Sequence, residues 1–524
     1  MQAMPLHCPS ARKFQPQEIV FGEPSIRATT FRVRNAAFHL LPWMLLGPMV
    51  YCLHLAFKGS GLPVPDLQAA CLVAGAFCVV SIACHLWFTG TSVFSFPGAF
   101  LGVSSLYLLG FILMFPIHGE DVTATWYVVD MAGLDRGIPL VMLAFSCFLV
   151  GSCIALRRRR IHLNASAPPL SEQNLAFARY AGFALYGIAI LIVLVATAAG
   201  GGLKFMFDGG YSYLAEMQYQ ETGAALLWGA MAWFLPWGAL ILAATIRQKK
   251  DLPWLILFAL PVNVILLLAG DRGGLFVIDI LLLIRASLLG LRLGSWRTGL
   301  AVALIIVAVP TIMVLRQTPL RDWSFNLLVE ALTLNPSEAR AFSTDPVSAT
   351  LIEGGTSYKV LMGTVEMVPS TYDYQYGMDY LKSLVIAMPF FSRVFPDAAP
   401  NNSDWLKTYV DHSASTTGLG FLQVAEAYIQ FGPLGVAFFF LFAGYGLTRL
   451  WQYCRMCTLT APQLAYILIL MNAVLLWVRN EFSTAVRPVV WCFLLLIILP
   501  RLLRVRSTPK VCSMPTERPA PQTC

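Results

Sequence analysis

Five arginines stand at the ends of apolar stretches, where a cation needs a reason to be: Arg272, Arg316, Arg321, Arg479 and Arg487. Arg272 lies in Gly270-Asp271-Arg272-Gly273. Flanking glycines let the backbone turn tightly and approach a ligand, and a guanidinium offers a planar fork suited to phosphate or carboxylate. Arg316 and Arg321 follow the end of one apolar stretch. Arg479 and Arg487 bound the segment Arg479-Asn-Glu-Phe-Ser-Thr-Ala-Val-Arg487. Gathered together, such a set could clamp a diphosphate through charge-assisted hydrogen bonds. The plainer readings are that Arg272 snorkels to lipid phosphates and that Arg479 pairs with Glu481 at the surface, where ion pairs contribute little.

Acid–base chemistry has two candidates. Glu426 is the sole acid in the long, mostly apolar run that begins at Gly418, and an ionisable group in such a place is a functional hypothesis by default. It could act as a general base, partner an arginine, or orient the start of a helix. His412 precedes that run in a polar segment. Tyr372, Tyr374 and Tyr376 alternate with Asp373 and Gln375, and Tyr428 follows Glu426. Rings interleaved with carboxylate and amide groups suit a sugar, which stacks its apolar face and hydrogen-bonds through its hydroxyls. Packing of a short helix explains the same tyrosines equally well. Asp279 falls two turns below Arg272 on nearly the same helical face and could orient it, while Arg285 is placed to snorkel to the inner leaflet.

The elements that must hold these residues are membrane helices. Of 524 residues, 57% are hydrophobic and 12% charged, against roughly 45–50% apolar and about 25% charged in soluble domains. That balance excludes a soluble enzyme, a nucleic-acid binder, a coiled coil and a disulfide scaffold. Stretches of the length needed to cross a bilayer, roughly 17–25 residues, recur at 36–57, 67–88, 97–116, 137–156, 177–199, 223–246, 253–270, 273–291, 298–315, 420–448, 462–478 and 488–503. The expected fold is therefore an all-α polytopic membrane protein of about twelve transmembrane helices. No apolar segment precedes the first span, so no cleaved signal peptide is expected. With the N-terminus inside, inner segments and their flanks hold twenty-two Lys/Arg and the short outer loops six. This bias places both termini in the cytoplasm.

The division that follows is a cytoplasmic segment 1–35, nine helices over 36–316, a large outer loop 317–418, three helices over 419–503 and a cytoplasmic tail 504–524. A loop of that length is expected to be functional or a small domain of its own. It carries eleven Asp/Glu against six Lys/Arg and many aromatic rings, which places the binding or catalytic work on the outer face. Most of the twelve cysteines sit in apolar segments and act as small hydrophobes. No phosphate-binding loop, metal-ligand cluster or serine-nucleophile elbow is present in the sequence, so no metal and no cofactor is expected.

Taken in order, Gly270-x-Arg272-Gly273, a large loop two spans later, Ala425-Glu426-Ala427-Tyr428-x-x-Phe431-Gly432-x-x-Gly435, and Arg479-x-x-Phe482-x-x-x-x-Arg487 resemble the bacterial O-antigen polymerases (Wzy), or oligosaccharide repeat-unit polymerases. The likeness covers about 180–505. Asp271 stands where a small residue such as Ser is more usual. The resemblance implies a glycosyltransferase of the bacterial inner membrane, active at its periplasmic face. It would move a growing glycan from undecaprenyl diphosphate onto the next lipid-linked repeat unit. Arg272, Arg316, Arg321, Arg479 and Arg487 would then bind diphosphate, Glu426 or His412 would take the acceptor proton, and Tyr372, Tyr374, Tyr376 and Tyr428 would hold glycan. Its partners would be the lipid-linked donor and acceptor and the bilayer, with a chain-length regulator and a flippase as candidate proteins and no nucleic acid. An O-antigen ligase uses the same donor and is the nearest alternative; a twelve-helix transporter is the next.

Overall fold

The computed structural model describes residues 67–89, 91–118, 131–157, 174–198, 229–268, 271–291, 346–388 and 420–505, with the isolated positions Met49, Leu170, Glu172, Ser324, Asn326 and Val329. Among the described residues all regular structure is helical. In chain order the helices are α1 (Leu67–Thr89), α2 (Phe96–His118), α3 (Met131–Arg157), α4 (Leu175–Ala198), α5 (Ala230–Ala244, entered through a π-turn), α6 (Pro253–Leu268), α7 (Arg272–Leu288), α8 (Pro346–Gly355), α9 (Tyr358–Met367), α10 (Met378–Ala387), α11 (Gln423–Met456), α12 (Ala461–Trp477) and α13 (Phe482–Phe493), which continues through a π-turn into Leu499–Val505. Seven helical stretches among these residues are long and apolar enough to span a bilayer. The chain is a polytopic membrane protein. The expected spans 36–57 and 298–315 lie outside the described residues, apart from Met49.

Apolar side chains divide between core and lipid. α1, α4 and α6 turn large hydrophobic residues outward, among them Leu72, Val80, Phe183, Leu191, Leu257 and Leu260, as a bilayer-facing surface requires. The interior is built where α3 meets α11. A Cβ on Gly151 would strike the Leu441 carbonyl, and one on Gly444 would strike the Phe148 carbonyl. Small residues there let the two backbones approach closely, the usual means of packing helices where lipid supplies no hydrophobic drive. Ser152 links the same pair to α1, its hydroxyl 3.2 Å from His85 Nε2 and 2.8 Å from Thr448 Oγ1.

Two charged residues inside the bundle have local structural roles. Asp279 accepts from the Asn263 amide at 2.8 Å. Arg285 is 3% exposed and donates to the carbonyls of Ala243 and Ile246. It does not snorkel to the inner leaflet as its position in the sequence suggests, because the carbonyls at and just past the C-terminal end of α5 attract a cation.

The described part of the segment expected as a large outer loop is packed into the helix bundle. α8 lies along α2, where added Cβ atoms at Gly110 and Gly355 would strike backbone of the other helix. α9 lies along α3, with Gly133 facing the Met362 backbone and Gly137 the Tyr358 ring. Tyr358 is fully buried and stacks on Phe111 at 5.6 Å. Gly110 is eight residues before the end of α2, so the α8–α9 turn reaches roughly 12 Å down that helix at about 1.5 Å per residue.

The other deep feature is a break in α11. Phe431 (φ −145°, ψ 22°) and Gly432 (φ 62°, ψ −151°) leave the helical region. The sequence Gly432-Pro433 dictates this: Pro433 has no N–H for the preceding turn and disfavours the α conformation at its neighbour, and the positive φ needs glycine. Past the break, Gly435 packs against the Ala427 carbonyl, and Glu426 and Phe439 both reach the ring of Trp477. The short first piece of α11 therefore folds back beside the long second piece.

Candidate functional site

The break places Glu426 inside the bundle. The freed carbonyls of Ile429 and Gln430 accept from the N–H groups of Gln375 (3.0 Å) and Tyr376 (2.9 Å). The Gln430 side chain accepts from the Gly377 N–H at 2.9 Å and donates to buried Asp379 at 2.8 Å. Tyr374 packs edge-on against Tyr428 at 6.0 Å, and the Tyr428 hydroxyl donates to the Val368 carbonyl. The loop 368–377 thus completes the hydrogen bonding of the broken helix, and two of the four expected glycan-contacting tyrosines serve that junction. Tyr372 and Tyr376 are exposed, Tyr376 by 71%.

Glu426 is 1% exposed. Its Oε2 accepts from Trp477 Nε1 at 2.6 Å, and the Phe482 N–H is shared between both carboxylate oxygens at 3.1 Å. These donors come from the end of α12 and the start of α13. One carboxylate therefore fixes the 478–481 turn that presents Arg479. Glycine fixes the opposite side of that turn: Phe421 N–H donates to the Arg479 carbonyl at 2.6 Å, and Gly420, at φ +73°, lies where any Cβ would strike that oxygen. The Arg479 guanidinium sits over the Tyr107 ring at 5.7 Å.

The site is recessed. α12 has 17 residues, about 25 Å at ~1.5 Å each, short of a hydrocarbon core of about 30 Å. Its end meets Phe439 rather than the start of the long piece of α11, and Tyr107 lies near the middle of α2. Glu426 and Val478 are buried, and Arg479, Asn480 and Glu481 of the turn are half-buried.

Arg487 differs from expectation in its element. The last helix begins at Phe482, not at 488, so Arg487 is inside α13, half-buried, with its Nε in no hydrogen bond among the described residues. The reason is local: Glu481 occupies the N-cap position with extended backbone, and Phe482 N–H is held by Glu426. Arg272 is the first residue of α7. Asp271 caps that helix, accepting from the Gly274 N–H at 3.0 Å, a task for which Asp serves as well as Ser. Arg316, Arg321 and His412 lie outside the described residues.

Trp477, Tyr380, Asp379 and Gln430 belong to the site and went unmarked in the sequence. Tyr380 packs against Trp477 (6.4 Å) and Phe482 (5.1 Å), the two residues that hold Glu426. Among the described residues its buried hydroxyl has no hydrogen-bond partner, and neither has Gln423 Oε1, one turn before Glu426. Burial and the neighbouring carboxylates of Glu426 and Asp379 raise the Tyr380 phenol above its usual range, so it stays protonated. Unsatisfied groups of this kind are rare in native interiors and mark places where a ligand or water completes the bonding.

No curated protein and no solved structure matches the chain significantly. The sequence profile of the O-antigen polysaccharide polymerase Wzy matches residues 50–508, nearly the whole chain. That match covers far more than half of the chain, and the described helices are those of a membrane protein; the chain belongs to the O-antigen polysaccharide polymerase Wzy family.

Proposed function

We propose that this protein polymerises undecaprenyl-diphosphate-linked oligosaccharide repeat units at the periplasmic face of the bacterial inner membrane, with both termini in the cytoplasm and twelve spans in all. Family membership supports a polymerase of the glycosyltransferase type. The observation that carries the mechanism is the joint placement of Glu426 and Arg479, bound to one another through the 478–482 turn.

The acceptor sugar hydroxyl attacks the anomeric carbon of the donor glycan while the bond from that carbon to the diphosphate oxygen breaks. Arg479 and Arg487, with Arg272, Arg316 and Arg321, neutralise the departing diphosphate, so the leaving group needs no general acid. The proton of the acceptor hydroxyl ends on Glu426, which Trp477 and the Phe482 N–H orient. His412 is the alternative proton acceptor. Exposed Tyr372 and Tyr376 offer ring faces to glycan, and the apolar helix surfaces admit the polyprenyl tail. A chain-length regulator and a flippase are the protein partners this role would engage.

The test is a strain lacking the gene, with lipid-linked glycans and surface polysaccharide extracted together. Single repeat units in place of long chains support the proposal. Long chains still built on the lipid carrier but missing from the surface acceptor would replace it with a ligase.

A further inference from the structure

The Arg479 side chain is fixed along its length. Its backbone carbonyl accepts from the Phe421 N–H. Its stem runs over Gly420, where a Cβ would come within 3.0 Å of Arg479 Cγ and 3.5 Å of Nε. The guanidinium then ends over the Tyr107 ring, 5.7 Å from its centroid. Tyr107 comes from a distant part of the chain, near the middle of α2, and is half-buried.

We infer that Tyr107 is a positioning residue of the proposed polymerisation, its ring holding the Arg479 guanidinium in place for the departing diphosphate. An arginine side chain is long and flexible, and it stabilises developing charge best when it is already ordered as the bond breaks. A carboxylate partner would order it but would also offset its charge. A ring attracts the cation through its electron-rich face and leaves the positive charge for an anion. Partial removal from water strengthens that attraction.

The ring is itself braced. Leu106, its neighbour on α2, packs on Gly354 of α8, and Gly110, one turn further on, lies against the Leu351 carbonyl, so that a Cβ at either glycine would collide. Helix α8 therefore sets the position of the α2 turn that carries Tyr107. Gly420 and Phe421 set the start of the arginine, and Glu426 sets the turn from which it projects. The ring and the guanidinium are thus placed by separate elements, and their meeting fixes where the positive charge stands.

This inference rests on Arg479 acting on the diphosphate, and the experiment separates the two. Full-length protein in liposomes would be given lipid-linked repeat units extracted from the strain lacking the gene. Tyr107→Phe keeps the ring face and should extend chains within about threefold of the normal kcat, whereas Tyr107→Leu keeps apolar bulk without a ring and should be about tenfold slower. Phenylalanines bearing one, two and three fluorines at position 107 hold the shape of the ring while draining its face of negative charge. They should lower kcat step by step, with unfolding temperatures unchanged. In an Arg479→Ala background, Tyr107→Leu should cause no further slowing, since its effect passes through the arginine. A flat fluorine series, or the same fold-loss from Tyr107→Leu with and without Arg479, would make Tyr107 a packing residue of α2 and leave Arg479 standing. A normal rate in Arg479→Ala would remove the arginine's role and overturn this inference with it.

Discussion

Replacing Glu426 by Gln separates chemistry from architecture, because the two roles predict effects of different size. The carboxylate holds two donors, Trp477 Nε1 and the Phe482 N–H. Hydrogen bonds to a charged acceptor contribute about 1.5–3 kcal/mol each and neutral ones about 0.5–1.5 kcal/mol. Gln can keep both donors on its carbonyl oxygen, losing roughly 2–3 kcal/mol of charge assistance. Relief from burying a charge offsets part of that loss. The net change in stability is then at most about 2 kcal/mol, small against the 5–15 kcal/mol of an ordinary fold, and the variant remains folded. Loss of a general base, by contrast, slows a reaction about 10²–10⁴-fold, which is roughly 3–5 kcal/mol in the barrier. The assay is the rate of chain extension by reconstituted protein at saturating lipid-linked substrate, with thermal unfolding in detergent measured on the same preparation. Glu426→Gln should unfold within a few degrees of the unaltered protein and extend chains at least 100-fold more slowly. A rate within threefold would refute the base and leave Glu426 as a support for the 478–482 turn.

Gly420→Ala should destabilise the protein by about 1–3 kcal/mol and impair extension, because the residue sits at φ +73° against the Arg479 carbonyl; an unchanged melting temperature would contradict this. Arg479→Ala should lower kcat at least 100-fold. Arg479→Lys should not restore it, since an ammonium lacks the planar fork held over Tyr107, and full rescue would reduce the requirement to charge alone. Gln430→Ala leaves the Gly377 N–H and buried Asp379 without their partner. It should cost about 2–4 kcal/mol, measured by unfolding, with a stability change under 0.5 kcal/mol counting against the described junction.

Much of this arrangement could be read from the residues alone, for identifiable reasons. Long apolar stretches such as 67–88 and 137–156 emerge within a few residues of α1 and α3, because bilayer thickness fixes their length. Glu426 stood out as an isolated acid in an apolar run, and Gly432-Pro433 marks the break in α11. What holds Glu426 was illegible: Trp477 and Phe482 are 51 and 56 residues away, and nothing periodic links them. Tyr380 looked like one packing ring among many, since an unpartnered hydroxyl is a property of the fold. The Pro and Gly punctuation of the segment 346–388 points to short helices, and it forms three of ten residues each. Its glycines pack it into the bundle by close backbone contact, which composition does not reveal. Arg487 read as a loop residue because apolarity begins at 488, whereas the helix starts where Glu426 grips Phe482.

The central claim is that this chain alone joins repeat units while they remain on the lipid carrier. The direct measurement is to reconstitute purified protein in liposomes with undecaprenyl-diphosphate-linked repeat units and to separate the lipid-linked products by length. A ladder of chains growing by whole repeat units, with free undecaprenyl diphosphate released in proportion to the linkages formed, is the predicted result. Repeat units that remain single, or that lengthen only when lipid A core is added as acceptor, would contradict the account.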